Sequence, residues 1–391
     1  MTIAAISTSP DEAHAARLFK DAQARTRDGD VASARTLLQQ AAQAAHLPAL
    51  LQLGVWDLLG MAGPVDLLAA VERVRDAAQR GYLPAMTLYA QLVAAGAGGL
   101  ARDFGQVLSL LSQAARGGEP RAAVQLAMLM PDVPEHSQTR RALLQRAAAG
   151  GESIARMFIE RMPPIRPHFP LDWDVVLRGV AWPHERVLPA VAVRNEHPRI
   201  VAWPGLLSPD ECIYMALKGL PLLRPARITG VDGRPAVDPI RSNEAAMFGL
   251  LEADAVVQSL DLRVAAALGH PVENGEGFAL LRYQVGQQYL PHCDWIDPER
   301  TTTRADLDRW GQRVATCVVY LNDGFEGGAT GFPELGLEFR GGVGDALAWD
   351  NVRPDGQIDP LTLHAGRPPT QGMKYLLSKW MRDRSQSGNA G

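Results

Sequence analysis

The sequence predicts two folds in one chain: an N-terminal all-α solenoid of helical hairpins, then a double-stranded β-helix, or jelly roll, braced by helices. Three observations predict it. Small residues recur in phase through the first part of the chain, a proline-rich break follows at Pro163–Pro170, and short β-type runs separated by Gly, Pro and Asp fill the remainder. Helices first and strands afterwards argue for separate packed layers rather than one alternating α/β sheet. At 391 residues the chain is also long for a single core. The expected division is 1–162 for the repeats, 163–172 for a linker and 173–391 for the second domain, with its core at about 198–384.

In the repeat region, Ala-Ala pairs begin at Ala41, Ala77, Ala114 and Ala147, at spacings of 36, 37 and 33 residues. Eight residues after each start stands another alanine: Ala49, Ala85, Ala122 and Ala155. Gly81, Gly118 and Gly151 fall four residues after three of the starts, where a helix C-terminus needs a residue with positive φ. Leu53, Tyr89, Leu126 and Ile159 recur at the twelfth position as large apolar residues. Each unit reads as a helical hairpin whose alanines permit close approach and whose apolar face needs a neighbour. The units resemble tetratricopeptide repeats of the Sel-one-like kind over roughly residues 30–160, in copies such as AAQRGYLPAM and AARGGEPRAA.

The prolines of Pro163–Pro170 cannot continue a helix and favour an extended connection. Beyond them RIVAW (199–203), GFALLRY (277–283), RVATCVVYL (313–321), GDALAWD (344–350) and KYLLSKW (374–380) read as strands. One helix is expected to open at Ser208-Pro209-Asp210-Glu211, a capping box with proline at the first helical position. A second should cover about Glu252–Leu268.

Composition narrows the partners. A net charge of −4 gives no electrostatic reason to expect nucleic acid or a membrane surface. No apolar run approaches the ~18 residues of a transmembrane helix, and the N-terminal stretch lacks the pattern of a secretory signal. Three cysteines, Cys212, Cys293 and Cys317, cannot build a disulfide framework, so a reducing, cytoplasmic setting is expected.

The chemistry concentrates in His292-Cys293-Asp294, His364 and Lys374. Two histidines and a carboxylate form the ligand set of a mononuclear non-haem Fe(II) oxygenase, which leaves three metal positions open. His292 and Asp294 alternate at a strand end, so both side chains leave one face, with Cys293 on the other. A lone His-x-Asp is weak evidence, and each histidine alone reads more readily as a packed, partly buried residue than as a ligand. Lys374 shifts the balance. The chain has only four lysines, Lys20, Lys218, Lys374 and Lys379, among its many arginines. Alternation turns Lys374 inward with Leu376, Ser378 and Trp380, where an ammonium needs an anion such as the distal carboxylate of 2-oxoglutarate. The alternative is a strand-end lysine reaching water. Lys379, on the opposite face, reads as surface charge. The charged stretch Trp295–Gln312 reads as a lid over substrate or as a plain solvated loop.

From Gly277 to about Arg384 the chain resembles the prolyl 4-hydroxylase family of 2-oxoglutarate/Fe(II) dioxygenases. LRYQVGQQYLPHCDW, RVATCVVYLND, GGATGFPELG, GDALAWDN, LHAG and KYLLSKW carry the resemblance in order; RIVAWPGLLSPDECIYMAL and Arg241-Ser242-Asn243 are weaker echoes. The resemblance implies His292, Asp294 and His364 as iron ligands and Lys374 as the holder of the 2-oxoglutarate C5 carboxylate. It implies that Tyr283 lines the co-substrate pocket, that the Tyr320 hydroxyl faces the same carboxylate, that Thr330 sits on a close turn and that Arg313 contacts peptide substrate. Core packing for the tyrosines and a solvated strand end for Arg313 remain open beside these roles. Fe(II), 2-oxoglutarate, O2 and L-ascorbate as reductant are the implied cofactors. Asp294 argues against a halogenase, in which that carboxylate must be absent. The implied reaction is hydroxylation of an unactivated C–H bond, as a prolyl hydroxylase whose protein or peptide substrate the repeats recruit. A hydroxylase of a free amino acid or natural product, and an interaction protein with a vestigial oxygenase half, are the alternatives.

Overall fold

The computed structural model describes residues 10–162, 164, 169–229 and 235–386. Within the proline-rich break, residues 163 and 165–168 lie outside the described set. Contacts divide the chain into two compact units: one runs to Ala127 and takes in Ser137–Arg178, and the other holds Met128–His136 with Gly179–Asn389. The stretch 173–178, expected to open the second domain, thus groups with the helices. The reason is local: the Trp173 ring lies beneath the guanidinium groups of Arg116 and Arg146, 5.2 and 5.8 Å from its centroid.

The helices are α1 (Pro10–Arg27), α2 (Val31–Gln43), α3 (Leu47–Leu59), α4 (Leu67–Gln79), α5 (Leu83–Ala95), α6 (Phe104–Arg116), α7 (Pro120–Leu129), α8 (Pro134–Ala149), α9 (Ser153–Ile159) and α10 (Trp173–Gly179). All eight phased alanines are fully buried, as close helix approach requires. Leu53, Tyr89 and Leu126 are buried too, whereas Ile159 ends short α9 half-buried and its neighbour Phe158 takes the inner place. One turn closes all four copies. The N–H groups of His46, Tyr82, Glu119 and Glu152 donate to the carbonyls of Ala41, Ala77, Ala114 and Ala147. Those of Ala45, Gly81, Gly118 and Gly151 donate to Ala42, Ala78, Ala115 and Ala148. This is the Schellman closure, with its left-handed residue at φ 88°, 101° and 95° in the three glycines. The first copy has Ala45 there, at φ 65°. Asp57 of α3, buried, pairs with Arg35 of α2 and Arg73 of α4, tying neighbouring hairpins.

In the second unit eight strands form an antiparallel sheet. Its order is β1 (Ala192–Asn195), β2 (Ile200–Trp203), β13 (Ala346–Asp350), β9 (Arg313–Tyr320), β16 (Lys374–Arg382), β7 (Ala279–Tyr283), β6 (Glu244–Met247) and β3 (Arg224–Pro225). A smaller sheet runs β12 (Leu337–Phe339), β11 (Thr330–Phe332), β14 (His364–Gly366) and β8 (Tyr289–His292). Two further pairs join β10 (Phe325–Gly327) to β15 (Pro369–Gly372) and β4 (Ile228–Thr229) to β5 (Pro235–Ala236). The core gathers Ile200, Leu281, Val318, Leu347, Leu376 and Trp380 from the large sheet with Phe332 from the small one. This is the expected jelly roll. Helix α11 (Pro209–Gly219) opens with the complete Ser208/Glu211 capping box. Helix α12 begins at Ala255 and runs to Leu268, because Asp254 caps it by accepting from the N–H groups of Val256 and Val257. Inside the charged stretch 295–312 a short helix forms, α13 (Arg304–Trp310).

Candidate active site

Strands β8 and β14 pair so that His292 stands directly across from His364. Cross-strand partners share a face, which is why two histidines 72 positions apart in sequence meet, their ring centroids 4.3 Å apart. Asp294 follows β8 and brings its carboxylate within 3.8 Å of His292 Nε2 and 3.6 Å of His364 Nε2. One ligand atom from each of the three lies within 4.8 Å of the others, a spacing that can hold one metal ion.

The protonation states suit that use. His292 Nδ1 donates to the Leu290 carbonyl at 2.8 Å and His364 Nδ1 to the Thr362 carbonyl at 2.9 Å. A carbonyl can only accept, so each ring carries a proton on Nδ1 and points Nε2 inward. Burial, with His364 beside it, holds the His292 pKa far below the usual range, keeping the imidazole neutral. Burial alone would raise the Asp294 pKa, but the polar groups around it, the Arg313 guanidinium among them, outweigh burial and hold the carboxyl ionised. Tyr289 stacks on His292, with centroids 3.4 Å apart, and Trp349 closes on His364 at 4.5 Å. Between the ligand atoms and water stand His292, Tyr289, Arg241 and Gly366, the partly exposed lining; Asp294, Thr316, Trp349 and His364 are buried.

Lys374 opens β16 across from Tyr283 of β7. Its side chain is fully buried, its Nζ has no hydrogen-bond partner among the described residues, and the ammonium lies 5.0 and 5.3 Å from the ring centroids of Tyr283 and Tyr320. Burial pulls its pKa down to about 7. An unsatisfied buried cation is costly unless an anion completes it, and a carboxylate of a bound keto acid would do so. Room for the lysine depends on the preceding turn: Gly327 and Gly328 have φ of 68° and 66°, and a Cβ on Gly328 would sit 3.2 Å from Lys374 Cδ.

The other expected residues are placed as follows. Tyr283 is buried along the pocket, and burial pushes its phenol pKa up. Tyr320 has its hydroxyl engaged within the protein: it donates to the Phe339 carbonyl at 2.8 Å and meets Thr330 Oγ1 at 2.9 Å. Arg313 is partly exposed but is not a free strand end. Its guanidinium makes two bonds to Glu276, at 2.6 and 2.8 Å, while stacking 4.4 Å over Trp380. Lys379, expected at the surface, is buried, with Nζ 2.6 Å from the Asp261 carboxylate of α12 and donating to the Glu276 carbonyl. Cys293 is unsuited to thiolate chemistry, because burial and Asp294 raise its pKa to about 11. The charged stretch 295–312 is held at its base by Gln312, which exchanges two 2.7 Å bonds with the Ile296 backbone. Arg241, Tyr289, Thr316 and Asn351 were assigned no role from the sequence, although all four lie in stretches that carry the family resemblance: Arg-Ser-Asn, LRYQVGQQYLPHCDW, RVATCVVYLND and GDALAWDN.

Residues 278–382 match the model of the 2OG-Fe(II) oxygenase superfamily. Prolyl 4-hydroxylase 1 of Arabidopsis thaliana is 30% identical over 234 residues, covering 54% of this chain and 81% of that protein. The chain belongs to the prolyl 4-hydroxylase family. As a prolyl 4-hydroxylase family member it is a 2-oxoglutarate- and Fe(II)-dependent dioxygenase. Prolyl 4-hydroxylase 5 of the same plant is 32% identical over 209 residues, 49% of this chain and 70% of that one. Among solved structures, a viral collagen prolyl hydroxylase of Paramecium Bursaria Chlorella virus-1 aligns at 25% identity and TM-score 0.36, covering 46% of this chain and 94% of the other. A Sel1 repeat protein of Oxalobacter formigenes aligns at 18% identity and TM-score 0.34, covering 44% and 71%.

Proposed function

We propose that the chain hydroxylates prolyl residues of a protein or peptide, with His292, Asp294 and His364 holding Fe(II) and Lys374 holding the C5 carboxylate of 2-oxoglutarate. The Lys374 ammonium carries this reading, because it is fully buried, has no hydrogen-bond partner among the described residues and lies 5.0 Å from the ring of Tyr283, which lines the pocket. The names of the plant relatives support the prolyl substrate. When bound, Fe(II) with 2-oxoglutarate and O2 supplies the oxidation, coupling decarboxylation to succinate with C–H hydroxylation.

The chain's own residues do the rest. The Nδ1–H bonds to Leu290 and Thr362 fix both imidazoles, and ionised Asp294 supplies the negative charge a divalent metal needs. Tyr283 and the Tyr320–Thr330 pair shape the pocket around Lys374. Trp349, Val318 and Leu376 exclude water from the reacting centre. Substrate would enter on the partly open side, at Arg241, Tyr289 and His292. L-Ascorbate serves as reductant in this reading, and the helical repeats raise the local concentration of the target protein by docking it. Free Cys212, Cys293 and Cys317 fit a cytoplasmic setting; no described helix is long and apolar enough to cross a membrane.

The test is to supply purified chain with Fe(II), 2-oxoglutarate and proline-containing peptides, and follow succinate with peptide mass. A gain of one oxygen atom on proline, lost in Asp294→Ala, is expected. Oxidation of free amino acids or small molecules alone, with no peptide modified, would move the reading to a small-molecule hydroxylase.

A further inference from the structure

Behind the metal-facing groups lies a buried polar pair with no counterpart among the pocket roles assigned so far. Thr316 Oγ1 lies 2.8 Å from Asp294 Oδ2, and Asn351 Nδ2 lies 2.9 Å from Thr316 Oγ1. Both residues are essentially inaccessible. The direction of each bond follows from the inventory of donors. Asp294 is ionised and only accepts, so the single Thr316 proton goes to it, and the Thr316 lone pair is left to accept from the Asn351 amide. Asn351 Oδ1, although buried, makes no hydrogen bond among the described residues. An apolar residue would avoid that cost, so the amide is held there for its donor.

The Asn351 backbone reaches the second ligand. Its carbonyl accepts from the Asp359 N–H at 3.0 Å; the Asp359 carbonyl in turn accepts from Thr362 N at 3.1 Å and Thr362 Oγ1 at 2.6 Å. The Thr362 carbonyl is the one that takes the His364 Nδ1 proton. Asn351 itself is pinned to β9 by its N–H, which donates to Val314 at 2.8 Å.

We propose that Thr316 and Asn351 are positioning residues for the metal, one relay that fixes the Asp294 carboxylate by side chain and His364 through the 351–359–362 backbone. The inference rests on the metal reading above. By donating to Oδ2, Thr316 fixes the orientation of the carboxylate, and Oδ1 would be the oxygen left to hold the metal.

The experiment is Co(II) titration of the full chain, followed by its visible absorption, with thermal unfolding of each metal-free variant alongside. Thr316→Val should weaken Co(II) by about 10- to 100-fold, the usual effect of losing a partner behind a ligand. Thr316→Ser, which restores the hydroxyl, should bind like wild type. Asn351→Ala should weaken binding too, but add nothing in a Thr316→Val background, because it acts through the missing hydroxyl. Wild-type affinity in folded Thr316→Val would overturn the relay, as would additive losses in the double variant. Should Thr316→Val not fold, unchanged affinity in Asn351→Ala would overturn it. A wild-type chain that binds no Co(II), or binds it equally as Asp294→Ala, would remove the metal centre and the relay together.

Discussion

Lys374 is fully buried and its Nζ has no hydrogen-bond partner among the described residues, so its titration should govern co-substrate binding. Burial lowers its pKa to about 7. The group is charged below that value and neutral above it, and a carboxylate binds the charged form. The KM for 2-oxoglutarate should therefore climb with pH above about 7, a trend that a flat profile to about pH 9 would contradict. Lys374→Ala should raise that KM by roughly 10- to 150-fold, from a charge-assisted bond of about 1.5–3 kcal/mol, while iron content stays near wild type. Lys374→Arg should retain part of the activity, since guanidinium also binds carboxylate with a different reach. Asp294→Ala and His364→Ala should lose both metal retention and succinate formation, measured by iron assay and product analysis. Wild-type succinate formation in either would remove the ligand assignment.

At the scale of elements, what is local in sequence was legible. Four alanine phases and three glycines mark the hairpins because a Schellman turn is satisfied within six residues of chain. The odd copy yields a prediction. Ala45 holds a left-handed conformation that a side chain disfavours, so Ala45→Gly should stabilise the helical unit by about 0.5–1 kcal/mol in urea unfolding. Gly118→Ala should cost a similar amount, and no change in either would argue against a common turn. Alternation along β16 was equally legible and correctly set Lys374 and Lys379 on opposite faces. It could not show that α12 covers the outer face and meets Lys379 with Asp261. The same limit hid the ion cluster in which Glu276 joins Arg313 to Arg382 and Arg382 reaches Asp306 of α13. Those partners come together only when distant strands and a loop are folded. Asn351 stood at the end of the matching stretch GDALAWDN, but its link to Asp294 was hidden for the same reason, since no spacing rule connects the two.

For the whole molecule, the proline-rich stretch suggests a clean cut between halves, and the contacts place it differently. Residues 128–136 belong to the oxygenase unit, where the Ala181 N–H donates to the Leu129 carbonyl at 2.9 Å. A chain beginning at Asp172 would lose that segment. Its thermal midpoint should fall below that of the oxygenase transition in the full chain, as calorimetry would register. Equal midpoints would make the 128–136 packing incidental and return the boundary to the prolines.

The position of β16 has a consequence in time. It is the last strand of its sheet in sequence, yet it lies in the middle, between β9 and β7. Each helical hairpin can close as soon as its own residues leave the ribosome, whereas the large sheet waits for a strand made after all its neighbours. Lys374 arrives on that strand. Under the proposed roles, the cation for the keto acid is therefore the last of the site's groups to be placed in the sheet.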